Sequence, residues 1–329
     1  MSIPLIKRKP KILLVCKIAI SIIILWFLIH STQLKPELFT QLFHQPLLSL
    51  EVVLVLLSLI VIGAWRWQIL NASQDIHLSF IKTLSATYLG AAFNYVLPGS
   101  VGGDLIRMYY VFKKKPQKKG SAMLSVFFDR VMGFVAVFLI ICLIALFKMD
   151  TVMQHPQLFY LLSICTVFCF SILSIFLILL FLPGKVNFLG WFSRRSSVLA
   201  SFLPARNNFR LSKAVFCKCL LTSILSQVLM VCAVLLIARI MNLPPIAFSD
   251  YALAMGMTQI VNLIPITPGG VGIGEMMFAH TLQLLNPGAV GAFATIFFTY
   301  RIISIVTYLP GVVFYIPRFI LLKQQAEVS

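Results

Sequence analysis

A chain of 329 residues with 60% hydrophobic and 11% charged residues departs far from the roughly 25% charged content of soluble domains, which excludes a water-soluble globular protein. Mean hydropathy is +0.98, and the composition predicts an all-α polytopic membrane protein. The net charge of +18 does not imply a nucleic-acid partner, because the basic residues lie between apolar segments, where the positive-inside rule collects them.

Apolar segments are expected over 12–29, 47–70, 80–97, 121–147, 158–182, 214–238, 250–267 and 289–316. Residues 12–29 read as a retained first helix. The run is too long for a signal peptide, and FLIHSTQLKPEL offers no small-x-small cleavage site. The run 158–182 exceeds the roughly 20 residues that cross a bilayer. Orientation follows from the loops. Lys7, Arg8, Lys9 and Lys11, the segment KKKPQKK at 113–119, the basic loop 183–213, and Arg318 with Lys323 are assigned to the cytoplasm. Loops 30–46, 148–157, 239–249 and 286–288 carry only Lys35, Lys148 and Arg239 and fall outside. Both termini are therefore expected in the cytoplasm, in a plasma (bacterial inner) membrane.

That parity has a consequence for residues 80–112, which must enter and leave on one face. The second limb, 99–112, would be about 21 Å long as a helix, against about 30 Å of hydrocarbon. A re-entrant hairpin opening to the cytoplasm is predicted. Residues 246–285 give a second hairpin, opening outside, with limbs nearly long enough to span. The expectation is about six spanning helices plus two re-entrant hairpins within one membrane domain, 1–329.

The hairpin tips are NYVLPGSVGGD (94–104) and NLIPITPGGVGIGE (262–275). Pro98, Gly99, Val101 and Gly102 match Pro268, Gly269, Val271 and Gly272 at an offset of 170. Arg130 follows Asp104 by 26 residues, and Arg301 follows Glu275 by 26. The spacing predicts an inverted repeat, with halves 12–147 and 158–316, as in transporters whose sites lie at the midplane.

Non-helical backbone at membrane depth requires protein or a wet cavity around it. Gly99, Gly102, Gly103, Gly269, Gly270 and Gly272 would let the chain turn and approach a ligand. Helix N-termini near Asp104 and Glu275 would offer free N–H groups to a phosphate. Arg130 and Arg301, some 14 Å into their helices, must be paired or functional. Two readings stay open: headgroup contact, or buried salt bridges of Asp104 with Arg130 and Glu275 with Arg301. Arg107, one turn after Asp104, could pair with it locally. Asn94 and Asn262 read as ties for the turns, with headgroup contact as the other role. Trp65-Arg66-Trp67 reads as an interfacial anchor. Seven scattered Cys and five scattered His predict neither metal site nor disulfide framework, and the absence of GxxxxGK[ST] predicts no ATP site. No cofactor is expected.

Asn94, Pro98, Gly102, Gly103, Asp104 and Arg107, then Asp129-Arg130, PITPGGVGIGE, Tyr300-Arg301 and Tyr308 to Gly311 together resemble the lysylphosphatidylglycerol synthase transmembrane-region family. Its members are also called flippase-like proteins, and the likeness covers about residues 10–320. It implies a lipid translocase for a polar, phosphate-bearing headgroup. The implied partners are a membrane lipid, anionic or of polyprenyl-phosphate type, and a lipid-synthesis enzyme. No aminoacyl-transferase domain follows residue 329, so the expectation is a stand-alone member without synthase activity. The alternatives are a membrane-embedded transferase using Asp104 or Glu275 as base, or a non-catalytic partner of a lipid synthase.

Overall fold

The computed structural model describes residues 19, 22–30, 34–96, 102–181, 212–264, 266–289 and 291–327. The expected first helix enters this range only at its end, where residues 22–30 are helical. Gly99 and nearly all of the basic loop 183–213 lie outside the described residues.

The major helices are α1 (Pro46–Ala72), α2 (Phe80–Val96), α3 (Gly102–Lys114), α4 (Lys119–Phe147), α5 (Pro156–Phe181), α6 (Lys213–Ile240), α7 (Phe248–Asn262), α8 (Ile273–Leu285) and α9 (Phe293–Glu327). No strand occurs among the described residues. The all-α expectation holds for them. Among the described residues, four stretches are long and apolar enough to cross a membrane: Pro46–Ala72, Pro116–Phe147, Lys213–Ile240 and Phe293–Val312.

Local chemistry sets the boundaries. Pro46 opens α1, where its missing N–H is of no consequence. The Ser212 hydroxyl caps α6 by accepting the Val215 N–H at 3.2 Å. α1 and α6 stop in the same way. A left-handed residue follows each, Asp75 at φ 54° and Asn242 at φ 51°. The next N–H then returns to a carbonyl five residues back, Ile76 to Asn71 and Leu243 to Ala238.

Of the remaining helices, α2 with α3 and α7 with α8 form two hairpins. α2 and α3 have 17 and 13 residues, and α7 and α8 have 15 and 13. At 1.5 Å per residue these are about 20 to 26 Å long, short of about 30 Å of hydrocarbon. α1 packs along α6. The first hairpin lies on α4 through α3 and reaches α9 through α2; the second lies on α9 through α8 and reaches α4 through α7.

Association inside a membrane relies on close packing rather than on expulsion of water, so small residues mark the contacts. A Cβ on Gly103 would stand 2.3 Å from the Gly90 carbonyl oxygen. One on Gly256 would stand 2.8 Å from the Ile141 side chain. The largest apolar cluster joins Leu56 and Ile60 of α1, Val234 and Ile237 of α6, Phe278 of α8 and Phe297 of α9.

Candidate functional site

The second tip is a tight turn made possible by three glycines. Gly269, Gly270 and Gly272 have φ of 61°, 73° and 88°, values that strain any residue with a Cβ. Glu275, fully buried in the first turn of α8, accepts the Gly272 N–H at 2.6 Å. Arg301 arrives from α9 and donates its Nε to Glu275 Oε1 at 2.7 Å. The same guanidinium donates Nη1 to the Gly269 carbonyl and Nη2 to the Gly270 carbonyl, the latter at 3.1 Å. It also lies over the Phe297 ring at 5.3 Å. Asn262 packs into the turn, where a Cβ on Gly270 would meet its Oδ1 at 2.1 Å. Arg301 thus fastens carbonyls that would otherwise face a low-dielectric interior without donors.

The first tip is built from the same parts with a different outcome. The Asn94 Oδ1 accepts the Gly103 N–H at 2.8 Å, tying α2 to the start of α3. Gly102, Gly103 and Asp104 are buried. Arg130 of α4 donates Nε to Asp104 Oδ2 at 2.7 Å, the counterpart of the Arg301–Glu275 bond. Here, however, the arginine side chain is 42% exposed, against 7% for Arg301.

The charges extend beyond the expected pair. Arg107 lies 3.8 Å from Asp104, the local pair anticipated, but its shorter bond, 2.7 Å, is to Asp129. Asp129 also accepts Nε of Arg66 at 2.6 Å, and Arg66 reaches Ser223 of α6 at 2.9 Å. Three guanidinium groups therefore face two carboxylates, an excess of one positive charge among helices α1, α3 and α4. For Arg66 and Trp67 this corrects the reading of Trp65-Arg66-Trp67 as an interfacial anchor, while Trp65 is exposed. Trp67 is fully buried, with Arg107 stacked on its ring at 5.6 Å, and Arg66 turns inward.

A cavity of about 650 Å³ lies among α1, α2, α3, α4, α6, α7 and α9. Arg66 of α1, Asn94 of α2, Arg107 of α3, and Asp129 and Arg130 of α4 line it. Gln227 of α6, Gln259 and Asn262 of α7, and Tyr300 and Tyr308 of α9 complete the polar part of the wall. The volume falls within the range of small-ligand sites. Of the residues singled out from the sequence, Asn94, Arg107, Arg130 and Asn262 reach the wall. Asp104 stands behind it as the partner of Arg130, whereas Glu275, Arg301 and the second-tip glycines form the brace.

Sequence reasoning passed over Arg66 and Asp129 as site residues. Each is an ion inside a long apolar helix, which is itself a signal of function. Lys148 was placed in an outer loop, and it does stand at the end of α4. Its ammonium, however, binds the buried Asp250 at the start of α7, and Asn286 after α8 donates to the same carboxylate at 3.1 Å. That cluster ties the base of the second hairpin to the end of α4.

Among the described residues, no group of three or more His, Cys, Asp or Glu is placed to hold a metal ion. No curated protein and no solved structure matches the chain. One protein family does, the family described as Lysylphosphatidylglycerol synthase TM region, over residues 14–311. That match spans nearly the whole chain and takes in both tips, both arginine–carboxylate pairs and the cavity, and the chain belongs to this family.

Proposed function

We propose that this protein is a flippase-like lipid translocase that moves a polar, phosphate-bearing headgroup through the cavity between its halves while the acyl chains stay in lipid. The observation that carries the reading is the surplus positive charge on the cavity wall, with Arg130 partly exposed to it. Asp129 serves two guanidinium groups and Asp104 the third, so the cluster carries one positive charge more than its carboxylates balance, a charge that an anionic headgroup would complete. Guanidinium groups hold phosphate through two parallel N–H donors.

The two halves are proposed to be inverted repeats, 12–147 and 158–316, with six spanning helices and two re-entrant hairpins. Support comes from the matched tips, the matched pairs at 26 residues, and the matched packing of α2 on α9 and α7 on α4. With the termini in the cytoplasm, the wall residues lie from mid-membrane toward the cytoplasmic ends of α1 and α4. The Lys148–Asp250–Asn286 cluster then closes the opposite end. Rocking of one half against the other would move the opening from face to face. The membrane is expected to be the bacterial inner membrane, and the family's name makes a lipid-synthesis enzyme a natural partner.

The transferase alternative needs a free carboxylate base. Asp104 and Glu275 are both engaged by guanidinium groups, which favours translocation. The test is transbilayer movement of headgroup-labelled lipid in vesicles holding the purified protein. Movement of a chemically unchanged lipid, above that in protein-free vesicles, is expected. A modified lipid would support the transferase, and no movement would contradict the proposal.

A further inference from the structure

The wall of the cavity narrows the choice of headgroup. Its charged residues are Arg66, Arg107 and Arg130 against one carboxylate, Asp129. Both Asp129 oxygens are taken, one by Arg66 at 2.6 Å and the other by Arg107 at 2.7 Å. Behind the wall, Asp104 is buried; Arg130 holds its Oδ2, and its Oδ1, which has no hydrogen-bond partner, lies 3.8 Å from Arg107. Glu275, the carboxylate of the second tip, accepts from Arg301 and from the Gly272 N–H. Among the described residues of the wall, no carboxylate is left to receive an ammonium group, because Asp129 is fully engaged and Asp104 is buried behind it.

The part of the wall supplied by α6 and α7 is polar without charge. Gln227 and Gln259 face each other in a reciprocal amide pair, with bonds of 2.8 and 3.3 Å. On α2, Thr87 is 5% exposed and its hydroxyl has no hydrogen-bond partner. Amides and a hydroxyl can both donate to and accept from alcohol groups, and none of them compensates a cation. The wall therefore offers guanidinium groups to a phosphate and neutral partners to whatever the phosphate carries.

We infer that the cavity selects a net-anionic lipid, one whose phosphate carries an uncharged, hydroxyl-bearing headgroup, and that it rejects lipids bearing an ammonium group. The inference rests on the translocase reading and sharpens it. It also separates this chain's substrate from the cationic lysyl-lipid that its family's name suggests. Phosphatidylglycerol and a polyprenyl-phosphate-linked sugar share the required chemistry.

The experiment measures transbilayer movement of four labelled probes in vesicles containing the full chain. They are phosphatidylglycerol, a polyprenyl-phosphate-linked sugar, phosphatidylethanolamine and lysyl-phosphatidylglycerol. At least one of the first two is expected to move about tenfold faster than both amine lipids, the ratio produced by about 1.4 kcal/mol of discrimination. Whichever of the two moves identifies the source of the phosphate. Gln259→Glu places a carboxylate on the neutral wall, so it should narrow or reverse the preference, a gain that an unfolded protein cannot imitate. Gln227→Glu serves if the first variant fails to fold. Lysyl-phosphatidylglycerol moving as fast as the anionic probes would overturn the inference and leave the translocase standing. So would an unchanged ratio in a glutamate variant that keeps the wild-type melting temperature. No movement of any probe would overturn the translocase and this inference with it.

Discussion

Replacing Arg301 by Met should unfold the second tip before it affects any ligand. The substitution keeps the aliphatic bulk and removes the guanidinium. Glu275, with no exposed surface, would lose its guanidinium partner and be left to the Gly272 N–H. The Gly269 and Gly270 carbonyls would lose their donors. Breaking one side of a buried pair costs about 3–5 kcal/mol, and the lost carbonyl bonds raise the loss to about 5 kcal/mol. For a chain of this size that is a drop in melting temperature of roughly 10 °C in detergent. Arg130→Met removes the matching bond at the first tip, yet its side chain is 42% exposed, so its loss should be about 1 kcal/mol or less. Glu275→Gln keeps an acceptor for Gly272 and removes the stranded charge. The double variant Arg301→Met/Glu275→Gln should recover about 2 kcal/mol relative to the sum of the singles. Equal effects of Arg301→Met and Arg130→Met, or strict additivity in the double variant, would refute the brace.

Asp129→Asn leaves Arg66 and Arg107 facing each other and should cost about 3–5 kcal/mol by thermal unfolding, with partial recovery on adding Arg66→Gln. Gly103→Ala drives a methyl group into the Gly90 backbone and should lower the melting temperature by several degrees. Gly133→Ala meets no atom within 4 Å and should be neutral or stabilising by about 0.5–1 kcal/mol. Lys148→Met leaves Asp250 buried with Asn286 alone, so amide exchange at the start of α7 should quicken while exchange in α1 stays unchanged.

Much of the site was legible because membranes make ions conspicuous. Asp104 with Arg130 and Glu275 with Arg301 stood out as charges at equal spacing in apolar surroundings, and they pair as that spacing suggests. The glycines announced turns, and the second tip needs three of them at positive φ. Different roles for the two arginines were not legible. Burial of Arg301 and exposure of Arg130 depend on how neighbouring helices close over them, which a one-dimensional spacing does not encode. Arg66 was misread because tryptophan neighbours near a helix end have the composition of an interfacial belt. Only packing shows that Trp67 faces the core and carries Arg66 toward Asp129. Lys148 was similarly ambiguous, since a cation at a helix end satisfies loop statistics whether or not a buried carboxylate waits nearby.

The most direct test of the account is lipid movement by Arg130→Ala beside wild type in the same vesicles, with melting temperatures measured on both. The account predicts a protein that melts within about 2 °C of wild type, as expected for a partly exposed ion pair, and that has lost most of its lipid movement. A folded Arg130→Ala protein that moves lipid at the wild-type rate would contradict the claim that this arginine receives the headgroup.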